Sequence, residues 1–355
     1  TGPEFAKGKL QNADRLIPDR EINMLIYLAL NAEQAGLLGF DEELPRLEGR
    51  AQIERWQGAG HPPTETVFEA LQRAEVVITG WGTPMLSPLH SWSPEDFAIR
   101  LLAHSAGTVK YLLPFEAVQR GLLVTHANES LAEAVAEFTI GAIIMARRQA
   151  FVAHERMRAG KPDVAITSQR ELAASTIGII AASAIGRRVL RLLQGFGARL
   201  LLSDPYCSAD DARALGAELV SLPELLRQSD IVSLHAPVTG ETVGMLGAAE
   251  FALMQDGALF VNTARGRLID ANALLAELQS GRLYALLDVT DPQEPLPLDS
   301  PLFRLENCVL LPHMAACTLE ARKRQARYTV DEIERFLDGQ ALRFQVTAAK
   351  WATMA

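Results

Sequence analysis

Four polar side chains occupy the same kind of place in this sequence. His235 closes "DIVSLH", Arg265 follows "ALFVNTA", Asp288 follows "LYALL" and His313 follows "CVLLP". Each ends a short apolar run with the length and composition of a buried strand. In open α/β sheets, ligands bind beyond the carboxyl ends of the strands, so the four are expected to face one crevice. Imidazole can give and retake a proton near neutral pH, and guanidinium grips two oxygens at once. Taken singly, each has a blander reading. A strand-end arginine is usually a surface ion pair, and a histidine after proline usually caps or packs. His235, within "SLHAP", reads as part of a wall more than as a chemical group.

A second motif starts at Ser175. "STIGIIAASAIGRRVLRLLQGFGARLLLSDPY" reads as strand, tight turn, helix, strand and acid, the layout of a dinucleotide-binding unit. Where such a unit has G-x-G-x-x-G, this chain has Ala181, Ser183 and Gly186. The first glycine makes the turn, the second admits the pyrophosphate, and the third lets helix and strand pack closely. Ala181 is expected to be tolerated if its φ is negative. The Cβ of Ser183 crowds a pyrophosphate, while its hydroxyl can donate to one. The helix amino end still attracts phosphate. Binding is therefore expected to persist, though weakened; the competing reading is a degenerate site that holds nothing. Asp204 lies eighteen residues beyond Gly186. A carboxylate there accepts from ribose hydroxyls and repels a 2′-phosphate, which favours NAD over NADP. Arg187 and Arg188 either reach phosphate or are solvated.

These residues need a scaffold. "INMLIYLAL" from Ile22, "QIERW", "VVITGW", "IRLLAHSAG" and "LLVTHAN" read as strands, and "TETVFEALQRAE" as a helix with Val67, Leu71 and Ala74 on one face. "ESLAEAVAEFTIGAIIMARRQAF" reads as one long buried connector helix. "RAGKPDVAITSQREL" reads as a loop, and "TLEARKRQARYTVDEIERFLDG" as a charged helix closed by Gly339. Strands alternating with helices imply parallel sheets. With 355 residues, two domains fit. Hydrophobic residues at 48% and charged residues at 22% suit a globular protein. A net charge of −9 argues against a nucleic-acid partner. No apolar run is long enough to span a bilayer. Cys207, Cys308 and Cys317 lack metal-ligand or disulfide spacing, so no metal is expected and the cytoplasm is the expected compartment. The opening "TGPEF" reads as a cloning remnant.

The chain resembles the D-isomer-specific 2-hydroxyacid dehydrogenase family. The resemblance rests on "VAEFT" after "HAN", the dinucleotide unit, "DIVSLHAPVTGET", "LFVNTARGRLID", "LLDVTDPQEPLPLDSPLF" and "VLLPHMA". It is dense from Val124 to Leu342 and only a matter of layout before that. It implies an α/β fold of two doubly wound parallel-sheet domains, with a Rossmann-type NAD-binding domain inserted into a flavodoxin-like substrate domain. The expected substrate domain is 1–126 with 319–355, and the expected NAD domain is 127–318. A homodimer formed through the helix containing Val135 to Arg147 is also implied.

Residue by residue, the resemblance makes Arg265 the group that holds the substrate carboxylate and carbonyl, and His313 the catalytic acid/base. A carboxylate beside that histidine holds its ring and favours its protonated form. The family takes the carboxylate from a glutamate before a proline, here Glu294 before Pro295. Counting five residues from Asp288 lands instead on Gln293, as in the formate dehydrogenases, distant relatives that use glutamine. Glu294 is preferred, because Pro295 and the following "LPLDSPL" hold it in register. For the cofactor, the resemblance implies Ser183, Ala184, Ile185, Asp204, His235, Pro237, Thr242, Thr263, Ala264, Arg265, Asp288 and His313. For the substrate it implies Ala106, Gly107 and Thr108, with Arg265 and His313. Lys110 either adds charge at the mouth or is a solvated lysine. Trp81 and Trp92 flank the cleft loop or simply pack.

The implied activity is NAD-dependent hydride transfer between nicotinamide and a 2-hydroxy or 2-oxo acid. One alternative is a relative that binds NAD as a regulatory ligand and acts as a scaffold. Another is the same chemistry on a phosphorus acid.

Overall fold

The structure, a computed structural model, describes residues 24–161 and 169–354. "TGPEF", Ile22 and residues 162–168 of the expected loop lie outside the described residues.

The apolar runs form two sheets. The first contains β1 (Leu25–Leu28), β2 (Gln52–Arg55), β3 (Val76–Thr79), β4 (Leu101–His104) and β5 (Leu123–His126), in the order β2-β1-β3-β4-β5. The second contains β6 (Thr176–Ile180), β7 (Arg199–Ser203), β8 (Glu218–Leu219), β9 (Ile231–Leu234), β10 (Leu259–Asn262), β11 (Tyr284–Leu287) and β12 (Cys308–Leu310). Their order is β12-β11-β10-β9-β6-β7-β8. All pairings between these strands are parallel. Parallel pairs need crossover connections, and these bring helices onto both faces.

The pleat explains why the strands read as continuous apolar runs. Leu200 and Leu202 enter one core with Ile143 and Val189, from the helices Asn128–Arg147 and Ala184–Leu193. Leu201 points the other way, into a core with Leu225, Phe251 and Leu274 from three further helices. The first sheet is double-faced in the same way. Tyr27 and Val77 pack with Val67 and Leu71 of the helix Thr64–Arg73. Ile26 and Ile78 pack with Ala326, Val330 and Ile333 of the helix Leu319–Leu337. The chain thus returns to its first sheet after completing the second. The molecule comprises two α/β domains with all-parallel sheets of five and seven strands.

Two local expectations change. The connector is not one helix: Asn128–Arg147 ends before Gln149, which has φ 50° and starts a separate helix, Ala150–Arg158. Gly339 does close the last long helix, with φ 65° and its N–H donating to Phe336 O. Among the described residues, no helix is long and apolar enough to cross a membrane.

Candidate active site

In the seven-stranded sheet the strand order reverses between β6 and β9. A crevice is expected at that switch point. The turn after β6 and His235 after β9 flank it. Register carries the other strand ends to the same edge, since Leu259 pairs with both Ile231 and Tyr284.

The altered glycine turn is resolved residue by residue. Ala181 has φ 75°, so the condition for its easy tolerance is not met. An L-residue there pays the left-handed penalty that glycine escapes. Gly186 is indispensable, because a Cβ on it would stand 2.1 Å from Ala181 O. Ser183 is the N-cap of the helix Ala184–Leu193, and its Oγ accepts from Gly186 N at 3.2 Å. Its hydroxyl proton remains available to an anion. Asp204 accepts from Ala182 N and from Tyr206 N, each at 2.7 Å. It therefore ties the turn to β7 while each oxygen keeps a second lone pair. Arg187 donates to Ala182 O, and Arg188 is held by Glu129 and Glu133 of the connector helix. Arg188 is thus bound to carboxylates rather than left for phosphate.

His235 is buried, and its Nε2 lies 2.9 Å from Ser233 Oγ. Its Nδ1 has no hydrogen-bond partner. Burial lowers its pKa to about 3, so the ring is neutral. A buried, unpartnered ring nitrogen beside a helix amino end fits a polar dinucleotide. The loop beyond it is closed by Thr242, whose Oγ1 donates to Pro237 O and accepts from Thr239 N.

The reacting side is built by β10, β11 and β12. Asn262, fully buried, accepts from Ala264 N with Oδ1 and donates to Arg265 O with Nδ2, both at 3.0 Å. This side-chain bracket shapes the turn that presents Arg265. Thr263 Oγ1 lies 3.0 Å from Thr139 Oγ1 of the connector helix, tying the turn to that helix. Arg265 is exposed at the turn and donates to Ala264 O. Partial desolvation lowers its pKa, while Glu294 acts in the opposite direction.

His313 Nδ1 donates to Glu294 Oε2 at 2.9 Å. Gln293 instead contributes its backbone oxygen, which accepts from Thr290 Oγ1. The structure therefore places Glu294, not Gln293, at the imidazole. His313 has φ 53°. Asp288 is fully buried and accepts from Met314 N and Ala315 N, at 2.8 and 2.9 Å. Both oxygens of its carboxylate are thus engaged by the backbone that follows His313.

On the other sheet, Ala106, Gly107 and Thr108 follow β4. Ala106 O accepts from Ala127 N at 2.9 Å. Lys110 Nζ donates to Met354 O in the C-terminal segment. Trp92 is a packing residue, buried with Nε1 donating to Ile99 O, whereas Trp81 is 45% exposed.

Asn262, Ser233 and Thr139 escape a search for reactive residue types. The visible signal for Asn262 is an amide inside an otherwise apolar run, a position that demands hydrogen-bond partners.

Comparison with known proteins gives the same answer. Residues 140–315 match the family model described as "D-isomer specific 2-hydroxyacid dehydrogenase, NAD binding domain". The chain is 33% identical over 302 residues to a glyoxylate reductase of Korarchaeum cryptofilum, covering 84% of this chain and 90% of that protein. It is 31% identical over 278 residues to a D-3-phosphoglycerate dehydrogenase of Methanocaldococcus jannaschii, covering 78% and 52%. A crystal structure of a phosphoglycerate oxidoreductase from Rhizobium etli superposes with a TM-score of 0.75 at 27% identity, covering 92% and 98%. A reversal of strand order, a neutral buried histidine after β9 and a His–Glu pair whose carboxylate acts on Arg265 suit such chemistry. The chain belongs to the D-isomer-specific 2-hydroxyacid dehydrogenase family, whose reaction is the NAD-dependent oxidoreduction of 2-hydroxy and 2-oxo acids.

Proposed function

We propose that this chain interconverts a 2-oxo acid and its D-2-hydroxy acid, with Arg265, His313 and Glu294 as the catalytic residues. The observation that carries this reading is the 2.9 Å hydrogen bond from His313 Nδ1 to Glu294 Oε2, in a loop whose charge also acts on Arg265. With Nδ1 committed to Glu294, His313 Nε2 is the atom that exchanges a proton with the substrate oxygen. Arg265 binds the substrate carboxylate and polarises the carbonyl through a planar pair of N–H donors. Bound NAD supplies the hydride acceptor or donor. Ser183 and the free N–H groups of Ala184 and Ile185 meet its phosphates, and Asp204 its ribose. Pro237, Thr242, Thr263, Ala264, His235 and Asp288 shape the nicotinamide side. Ala106, Gly107 and Thr108 close on the substrate carboxylate from the other domain. That domain comprises 1–126 and 319–355, and the NAD domain 127–318. The same reading makes the protein a cytoplasmic homodimer assembled through the helix face from Val135 to Arg147, where Met145 is 45% exposed.

The test is NADH oxidation against a panel of 2-oxo acids that includes glyoxylate, a phosphorylated acid and a phosphonate. Arg265→Gln should raise KM about 100-fold and leave NADH affinity nearly unchanged. Equal loss of both would make Arg265 structural. Turnover of no 2-oxo acid by the wild type would overturn the assignment.

A further inference from the structure

We propose that Gln325 is a positioning residue for the substrate, acting through the Ser105–Ala106 peptide. This rests on the reading that Ala106, Gly107 and Thr108 meet the substrate carboxylate.

Gln325 stands on the helix Leu319–Leu337 and is fully buried. Its Nε2 donates to Ser105 O at 2.7 Å, linking residues 220 positions apart. Its Oε1 is buried without a hydrogen-bond partner. A core amide with one end unsatisfied is a poor choice for stability alone, because an unpaired buried acceptor has lost its water for nothing. What the amide does accomplish is orientation.

A trans peptide is planar, with its C=O and N–H pointing in opposite directions. Holding Ser105 O against Gln325 therefore turns the Ala106 N–H away from the helix. The next peptide is held in the same way: Ala106 O accepts from Ala127 N, which turns the Gly107 N–H away from Ala127. Ser105 itself is fixed to β3, with both its N–H and its Oγ donating to Thr79 O at 2.8 Å. Among the described residues, the Ala106 and Gly107 N–H groups donate to no protein acceptor. Two adjacent N–H groups, each aimed by an anchored carbonyl, form a receptor for one carboxylate.

The two anchors are not local to the loop. Ala127 immediately precedes the helix Asn128–Arg147, where the chain leaves the first sheet. Gln325 lies on the helix by which it returns. Next to Gln325, Arg324 Nε donates to Ser130 O, joining the two crossings directly. That return helix begins six residues after His313. The carboxylate receptor and the acid/base segment are therefore referenced to the same pair of crossings.

Gln325→Met keeps the side-chain length, removes the donor and removes the unpaired acceptor. KM for the 2-oxo acid should rise about tenfold or more, with kcat and the NADH dissociation constant within about twofold of wild type. Its Tm should not fall below that of the wild type by more than about 3 °C. The penalty should shrink for the amide of the same 2-oxo acid, which lacks the charge the receptor binds. Gln325→Glu, whose carboxylate opposes Ser105 O, should be worse than Gln325→Met. An unchanged KM, an equal loss of NADH affinity, or a variant that does not fold would make Gln325 structural and end the proposal. Arg265→Gln, measured in parallel, separates the two levels. If it raises KM while Gln325→Met does not, only the positioning role fails. If neither raises KM, the site reading fails with it.

Discussion

Ala181 shows how a single residue departs from its surroundings. With φ 75° it sits where glycine is at ease and alanine is not. The left-handed region costs an L-residue about 1–2 kcal/mol, and glycine's extra freedom in the unfolded chain returns part of that. Ala181→Gly should therefore stabilise the protein by roughly 0.5–1 kcal/mol in urea unfolding, and Ala181→Val should destabilise it by more. A loss of stability in Ala181→Gly would show that the Ala181 methyl makes contacts outweighing the strain. The loop residues Gln293 and Glu294 pose a different question at the same scale, because the register count and the proline disagree. Only Glu294 reaches His313. Glu294→Gln should cut reductive kcat by about 10- to 100-fold, while Gln293→Ala, which keeps the backbone oxygen used by Thr290, should change it little. The reverse pattern in steady-state assays would restore the glutamine register.

At the level of elements, the strands were legible and their consequences only partly so. Runs such as "ALFVNTAR" announce themselves because parallel strands bury both faces. The break at Gln149 was not legible, because Arg147, Arg148 and Gln149 are all good helix formers and nothing local demands a left-handed residue there. The positions of the four strand-end side chains are legible in the sequence, but periodicity does not say where a side chain turns. Asp288 turns back on its own scaffold. Its two oxygens hold Met314 N and Ala315 N, and so brace the positive φ of His313 that no local sequence rule requires. Asp288→Asn replaces one acceptor with a donor facing an N–H. Hydrogen bonds to charged groups contribute about 1.5–3 kcal/mol each, so a marked fall in Tm is expected. Reductive kcat should fall with it by at least about tenfold, since His313 loses its brace. A variant with wild-type kcat in stopped-flow assays would show that the segment holds His313 without Asp288.

Across the whole molecule, three histidines at strand ends are strongly perturbed: His104 and His235, which are buried, and His126, which is half-buried on the edge strand β5. Burial lowers His104 to about 3, assisted by His126; burial lowers His126 to about 4, assisted by Lys350; and burial alone lowers His235 to about 3. His104 is satisfied as a neutral ring, between Thr79 Oγ1 at 2.9 Å and Tyr111 Oη at 3.2 Å. None of this shows in the sequence, where "LLAHS" and "LVTHA" differ from other strands only by one polar letter, and only the packing reveals that His104 is fully buried and His126 half-buried. The consequence is global. An unfolded histidine takes up its proton near pH 6.5, whereas these folded ones stay neutral well below that. Between about pH 6.5 and pH 4 the unfolded state therefore binds more protons, so stability rises with pH through this window and is lost as pH falls. Each histidine contributes a slope of about 1.4 kcal/mol per pH unit where its two states differ by a full proton, and the three together about 4. Tm measured by scanning calorimetry should be nearly flat from pH 8 to 7 and should fall steeply between pH 6 and 5. His104→Gln, which keeps a neutral hydrogen-bonding group between Thr79 and Tyr111, should flatten that fall by about a third. A Tm independent of pH down to 5 would mean that these rings reach solvent or find a counter-charge in solution, and the neutral buried network would have to be abandoned.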